Sequence, residues 1–289
     1  MHEESIVSSR PDREITKKLI SPGDFSIVPY EESRCTVVLS NVRCTNSIGD
    51  CDIESGSRIF AKNFDGMVII GDSDSFIDRD FELILQQMCC GETCVGKIVY
   101  KNNKGEFVKE ISCQIELKDV TEEQLVSDWS WARLYEAAGH HKECGVELVK
   151  EKRILDAFRR FSKAFKLVVA IEPVDPQVIS EESVKEIIEL KIKLYNNLAH
   201  CQLQFNEYEA ALELCNRAIK HDPDNVKALY RRCQSYHGLQ MYEEAWNDIQ
   251  HVLNLDPNDR AAQNKASELR PRIEKINKEY TSVIKKMFG

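Results

Sequence analysis

The chain has 289 residues, enough for two domains, and its 42% hydrophobic and 30% charged residues are typical of folded globular proteins. A formal net charge of −9 argues against a nucleic-acid-binding surface, and no apolar run reaches the roughly 18 residues of a membrane span. The first residues lack the apolar core of a secretory signal. We therefore expect a cytoplasmic protein, with the nucleus as a second compartment, that binds neither nucleic acid nor a membrane.

The first part of the chain is predicted to be a leader followed by a β-rich domain. Residues 1–20 are polar and aperiodic, which predicts a flexible leader. Residues 21–120 favour strands separated by turns. The predicted strands lie at 25–28, 34–42, 66–70, 95–101 and 107–120. Residues 78–88 are predicted to form one helix that stops before Gly91, so the domain is expected to be α+β, with an antiparallel sheet and one short helix.

The eleven cysteines, in a chain without an export signal, are predicted to be reduced thiols. The alternative to reduced thiols is a zinc or redox site at the sequence cluster of Cys89, Cys90 and Cys94. No C-x-x-C pair occurs anywhere, and no histidine lies near the cluster in sequence, which disfavours a metal site. We therefore expect neither a metal nor a cofactor.

A 34-residue period dominates the second half of the chain. Beyond residue 121 helical spacing takes over, and 121–137 is predicted to be a linker helix. Residues 192–225 and 226–259 match at a shift of 34, the length of a tetratricopeptide repeat, which folds as two antiparallel helices. The matches pair Tyr208 with Tyr242, Ala211 with Ala245, and Asp222-Pro223 with Asp256-Pro257. A further unit fits the same template from Ala138, so residues 138–259 are predicted to hold three repeats.

Residues 260–289 carry an apolar stripe with alternating steps of four and three, which predicts a helix that caps the last repeat. Pro271 is expected to kink this helix or to begin a second segment. Lysines on the opposite face leave a calmodulin-target helix as an alternative to a solvated face.

The repeats also predict an anion-binding groove. In a stack of helix pairs the first helix of each unit lines one concave surface, so residues one period apart lie side by side. Asn197 and Arg231 are such a pair, and Lys227 lies one turn before Arg231 on the same helix face. A guanidinium fork, an ammonium and an amide N–H are donors that together suit a carboxylate.

These motifs resemble the FKBP–tetratricopeptide co-chaperone family, in its divergent FKBP-like subtype, over roughly residues 21–289. The segments ALYRR, DPNDRAAQ and KKMFG carry the likeness to that subtype. The resemblance implies a carboxylate clamp that holds the acidic C-terminal tail of heat-shock protein 90 or a related chaperone. The matching positions are Lys142, Asn197, Lys227 and Arg231. Val146 stands where the strictest clamps have asparagine, which removes one hydrogen bond.

The resemblance also implies that residues 21–120 have the fold of a peptidyl-prolyl isomerase, whose pocket is a cage of aromatic side chains. Here the corresponding stretch is degenerate, because the Val-Ile pair becomes Ile77-Asp78 and the tryptophan of the pocket floor becomes Phe81. A carboxylate is costly to desolvate beside a proline ring. Residues 100–107 are also too short for the loop that closes the family's pocket. We expect no isomerase activity and no tacrolimus binding.

The sequence-based prediction is therefore a non-catalytic co-chaperone adaptor, which binds a chaperone tail through its repeats and holds a client protein, such as a kinase. A scaffold that binds another protein without the clamp, and a weak prolyl isomerase, are the alternatives. A Cys–His pair of Cys144 with His140 or His141 is a weaker hypothesis than a packing or surface role for these residues.

Overall fold

The computed structural model describes residues 4–53, 57–60, 64–121, 125–173 and 177–288. The chain folds as two compact units, with the boundary between Trp129 and Ser130. Across the described ranges, every helix is too short or too polar to cross a membrane.

The front unit is an antiparallel sheet, seven-stranded in the described ranges, with one helix packed on it. Its elements are β1 (Glu4–Arg10), β2 (Arg13–Ser21), β3 (Arg34–Asn46), β4 (Gly49–Asp50), β5 (Asp65–Ile69), α1 (Phe76–Leu85), β6 (Thr93–Lys101) and β7 (Phe107–Thr121). The strands run in the order β1-β2-β6-β7-β3-β4, and β5 pairs with β3. Alternate residues of β6 and β7 are buried, so one face of the sheet meets α1 in a single core. The predicted α+β class is confirmed.

The prediction of a flexible leader at 1–20 is wrong for the residues that the structure describes. β1 and β2 form a hairpin, and β2 pairs along its length with β6. Ile15 is fully buried and pairs with Ile98, far along the chain. The segment looked unstructured because the strand that satisfies its backbone N–H and C=O groups is distant in sequence. Residues 1–3 lie outside the described ranges.

The second unit consists of helix pairs followed by one long helix, as predicted. Its elements are α2 (Trp131–Lys150), α3 (Ile154–Val169), α4 (Glu181–Gln204), α5 (Tyr208–His221), α6 (Val226–Gly238), α7 (Tyr242–Leu255) and α8 (Arg260–Phe288). Each pair turns through one residue of positive φ, which is Lys152 at 63°, Asn206 at 61° and Gln240 at 63°. The same turn therefore recurs in all three pairs. In each pair the residue of positive φ lies two positions before the start of the second helix.

The described part of residues 121–137, from which residues 122–124 are excluded, does not form the separate linker helix that the sequence predicted. The chain makes a short 3-10 turn at Val126–Asp128, and α2 then begins at Trp131 and continues through residue 138. Its start is set by Ser130, whose Oγ accepts the Arg133 N–H at 3.3 Å. The first helix of the array is thus seven residues longer than the repeat template requires.

The last helix also differs from expectation. α8 passes through Pro271 as one helix, with no second segment. Pro271 is exposed, so water can replace the one hydrogen bond that a proline removes. Ala262, Ala266 and Leu269 are buried against α7, whereas the apolar side chains of the stripe from Tyr280 onward are exposed. The capping role therefore belongs to the first half of the helix.

A substitution at Gly145 tests the close packing of α2 on α3. An added Cβ would lie 2.5–2.9 Å from three ring atoms of the buried Phe161. We expect Gly145→Ala to lower the free energy of unfolding by about 1–3 kcal/mol, because the ring has no free space. Gly139→Ala on the same helix is the control: nothing lies within 4 Å of its added Cβ, and alanine favours the helix by about 0.5–1 kcal/mol. Urea denaturation of both variants measures the difference, and equal stabilities would contradict the packing.

Candidate peptide-binding groove

The groove of the repeat array contains a cavity of about 530 Å³ between α4, α6 and the start of α8. Both Lys227 and Arg231 line it, as the sequence predicted for one face of α6. A third cation, Lys265 of α8, lines it as well. The acidic lining residue, Asp259, accepts the Ala262 N–H at 3.0 Å and so caps α8. The cavity is therefore cationic, although the protein as a whole is acidic.

Arg231 is the most unusual group of the cavity. Burial lowers the pKa of its guanidinium, with Cys215 and Cys201 acting in the opposite direction. Its Nη1 is buried, and no acceptor among the described residues hydrogen-bonds to it. A buried donor without a partner costs about 1–3 kcal/mol. A ligand acceptor that reaches this N–H would recover that free energy.

The neighbouring Arg232 has a different environment. Its Nη2 and Nε donate to the carboxylate of Asp248 at 2.6 and 2.8 Å, and its Nη1 donates to Asn216 Oδ1 at 3.0 Å. The bidentate pair with Asp248 joins α6 to α7, and the bond to Asn216 joins α6 to α5. All three guanidinium nitrogens of Arg232 are therefore used. Of two adjacent arginines, Arg232 holds the repeats together, whereas Arg231 Nη1 has no hydrogen-bond acceptor among the described residues.

The other two predicted clamp residues lie on neighbouring helices. Asn197 is half-buried on α4, and Lys142 is half-buried on α2, with its Nζ 3.7 Å from the Glu143 carboxylate. Neither is among the residues that line the 530 Å³ cavity. The structure thus brings Lys227 and Arg231 together, while Lys142 and Asn197 lie farther along the array.

Lys265 was not singled out from the sequence, although the signal was present. It stands 34 residues after Arg231, which itself stands 34 after Asn197, so the repeat period continues into the capping helix. Lys265 Nζ lies 3.0 Å from Glu268 Oε2 and 2.9 Å from His237 Nδ1. The tetratricopeptide template covers three helix pairs and ends at residue 259, so it predicted no groove residue on α8.

Two histidines complete the cavity. The pKa of His200 is lowered by burial and then by Arg231. The pKa of His237 is lowered by burial and then by Lys265, with Arg272 acting in the same direction and Glu268 against it. Both imidazoles are therefore neutral at pH 7, and each can add a positive charge at lower pH.

The three residues at the predicted isomerase pocket are buried and contact other residues of the front unit. Phe81 is 0% exposed and meets Phe60 edge to face at 5.4 Å, and Ile77 belongs to the same core. Asp78 is buried, and its carboxylate accepts the Ser57 hydroxyl at 2.5 Å and the Arg58 N–H at 3.0 Å. The desolvation cost expected for this carboxylate is offset by these hydrogen bonds. All three side chains are buried, at 0–3% exposure.

A buried ion pair between Arg13 of β2 and Asp80 links the hairpin to the same helix α1. Asp80 is 1% exposed, with the Arg13 Nε 3.1 Å and the Tyr100 hydroxyl 3.1 Å from its carboxylate. Burial raises the pKa of Asp80, and Arg13 opposes that shift. The Arg13–Asp80 pair links β2 to α1, and the Tyr100 hydroxyl links β6 to the same carboxylate. Both contacts add to the β2–β6 ladder that attaches the hairpin to the domain.

Comparison with known proteins agrees with this two-part structure. Residues 9–122 match the family described as "BDBT FKBP like N-terminal", and residues 192–225 match the tetratricopeptide repeat. Protein Bride of doubletime of Drosophila melanogaster is 28% identical over 226 residues, which cover 76% of this chain and 75% of that protein. FK506-binding protein 59 of the same organism is 29% identical over 209 residues, 68% of this chain and 45% of that protein.

A solved structure shares the fold. The crystal structure of residues 1–211 of CG17282 is 26% identical, covers 72% of this chain and 96% of its own, and superposes with a TM-score of 0.55. The chain therefore spans three quarters of one relative, but less than half of FK506-binding protein 59.

Proposed function

We propose that this chain, which is similar to FKBP-like proteins and carries a tetratricopeptide repeat, is a non-catalytic adaptor whose groove binds the acidic C-terminal tail of a chaperone. The proposed chaperone is heat-shock protein 90 or a relative of it. The observation that carries the proposal is that Arg231, whose buried Nη1 has no acceptor among the described residues, lines a cationic cavity together with Lys227.

The proposed roles follow from the donors that each side chain offers. Arg231 presents a planar fork to the terminal carboxylate, and Lys227 adds a point charge one turn away. Asn197 and Lys142 would contact the peptide farther along the groove. Val146 offers no hydrogen bond, so one contact of the strictest clamps is missing and the affinity should be moderate.

Titration calorimetry with the C-terminal pentapeptide of heat-shock protein 90 tests the proposal. We expect micromolar binding of the peptide with a free terminus, and at least about tenfold weaker binding of its amidated form, since amidation removes one charged acceptor. If neither peptide binds while pull-downs recover another stable partner, the protein is instead a scaffold that does not use the clamp. The client, for which a kinase is one candidate, would be identified by the same pull-downs.

The pH dependence of peptide binding provides a separate prediction. A bound carboxylate favours the protonated forms of His200 and His237, and the peptide's own carboxylates stay ionised above about pH 4.5. Because the pKa values of both imidazoles are lowered from the ordinary value of about 6.5, affinity should rise as the pH falls below that value. Replacing both histidines by glutamine should flatten the profile while binding at pH 7.5 is kept. A flat profile in the wild-type protein would show that neither imidazole faces the bound carboxylate.

We further propose that the front domain has no prolyl isomerase activity. Phe81 and Ile77 are core residues, and Asp78 is held by Ser57 and Arg58. The rate of cis–trans isomerisation of a proline peptide should therefore equal the uncatalysed rate, and tacrolimus should cause no shift in melting temperature. A catalysed rate that tacrolimus inhibits would support the alternative of a weak isomerase.

A further inference from the structure

Two cysteines face each other where β3 meets β4. The ladder pairs Thr45 with Asp50 and Asn46 with Gly49, and one step farther the Cys51 N–H donates to the Cys44 carbonyl at 2.8 Å. Their Sγ atoms are 2.8 Å apart, about 0.8 Å more than the bond of a disulfide. Opposite residues of an antiparallel ladder have Cα atoms about 4.5–5.5 Å apart, which lies within the range that disulfides span. The backbone therefore needs no rearrangement to form the bond.

We propose that Cys44 and Cys51 form an oxidisable dithiol, which closes to a reversible disulfide on reaction with a hydroperoxide. This modification site lies outside the groove and does not depend on the proposed function. Nothing in the mechanism of peptide binding uses these two side chains.

The exposures of the two thiols assign their roles. Cys51 is half-buried and can meet the oxidant, whereas Cys44 is 6% exposed and lies in the core. Burial, followed by the contact with Cys51, raises the pKa of Cys44 to about 12, so Cys44 is a poor first nucleophile. It is nevertheless placed next to the sulfur that it must attack.

The chemistry balances in two steps. The Cys51 thiolate attacks one oxygen of hydrogen peroxide, the O–O bond breaks, and Cys51 sulfenic acid and hydroxide form. The Cys44 sulfur then attacks Cys51 Sγ, the S–O bond breaks, and a second hydroxide leaves. Two hydroxides take up the two thiol protons as water, so hydrogen peroxide accepts two electrons and the dithiol loses them. A thiol such as glutathione reverses the reaction by exchange.

The expected product can be read directly from a peptide map. Trypsin releases residues 44–58 as one peptide that contains both cysteines, because Arg43 precedes it and Arg58 ends it. After brief treatment of the native full-length chain with hydrogen peroxide, this peptide should be two hydrogen atoms lighter and resist alkylation. Cleavage before Asp50 should leave its two halves joined until a reductant is added. Cys113, Cys201, Cys215 and Cys233 are fully or nearly buried and should still be thiols.

Serine variants separate the two roles. In Cys44→Ser, Cys51 should accumulate as a sulfenic acid that dimedone traps, and in Cys51→Ser, Cys44 should stay reduced. Cys90→Ser removes another half-buried thiol of the same domain and should leave the disulfide unchanged. Since the main measurement uses the wild-type protein, it does not depend on whether a variant folds. Full alkylation of both cysteines after peroxide, or a Cys51 sulfinic acid beside a free Cys44 thiol, would overturn the proposal.

Discussion

Replacing Lys227 and Arg231 together by alanine should abolish the binding of an acidic C-terminal peptide. Each side chain is expected to form a charge-assisted hydrogen bond worth about 1.5–3 kcal/mol. Losing both should weaken binding by at least about a hundredfold. Arg231→Lys should lie between the wild type and the double variant, because it keeps the charge and loses the planar fork. Calorimetry with the free-terminus pentapeptide measures all three.

The matched control for this prediction is Lys220→Ala. Lys220 is an exposed cation of α5, the second helix of its repeat, and does not line the cavity. The Lys220→Ala variant should bind the peptide within about twofold of the wild-type affinity, since exposed charges away from the groove act only through a screened field. Arg232→Ala should instead lower stability, because it breaks the pair with the buried Asp248. If the Lys227/Arg231 double variant binds like the wild type while its melting temperature is unchanged, the groove residues are a solvated face and the clamp is excluded.

Removing the Asp80 carboxylate should destabilise the front domain more than any surface substitution. Asp80→Ala removes the counter-charge of the largely buried Arg13 and the carboxylate that accepts the Tyr100 hydroxyl. Breaking one partner of a buried pair costs about 3–5 kcal/mol. We expect a loss of that size in urea unfolding, with the hairpin of β1 and β2 losing hydrogen-exchange protection first.

Asp12→Ala is the control for this experiment. Asp12 also approaches Arg13, at 3.6 Å, but its side chain is 63% exposed. Its removal should change the free energy of unfolding by less than about 0.5 kcal/mol. In a double-mutant cycle, Arg13→Met combined with Asp80→Ala should cost much less than the sum of the single changes. Additive effects would mean that the two side chains do not interact and that the hairpin is held by its backbone alone.

The helical half could be predicted from the sequence because its hydrogen bonds are local. Backbone N–H groups of a helix bond four residues back, so a 34-residue pattern of tyrosine, alanine and Asp-Pro specifies each helix pair without reference to distant residues. The spacing of four residues placed Lys227 and Arg231 on one face of α6, and both line the cavity. The 34-residue period also reaches Lys265, which the prediction missed only because the pattern was not followed into α8.

The front half depended on contacts between residues far apart in the chain. The antiparallel sheet and its single helix follow from alternating apolar residues, but β1 and β2 carry too few apolar residues to be recognised without β6. Arg13 and Asp80, and likewise Ile15 and Ile98, meet only when the sheet has formed. The facing thiols of Cys44 and Cys51 are likewise set by the register of β3 and β4.

The sequence by itself therefore determined the repeat array, the α+β class of the front domain and the helix face that carries the groove cations. Only the tertiary structure showed that Arg232 is bound by Asp248 of the next helix, because that partner lies 16 residues away in the chain. It also decided that residues 4–21 are part of the sheet. In both cases the physical reason is the same: a polar group's partner can be recognised from the sequence only when it lies within a turn or two of the chain.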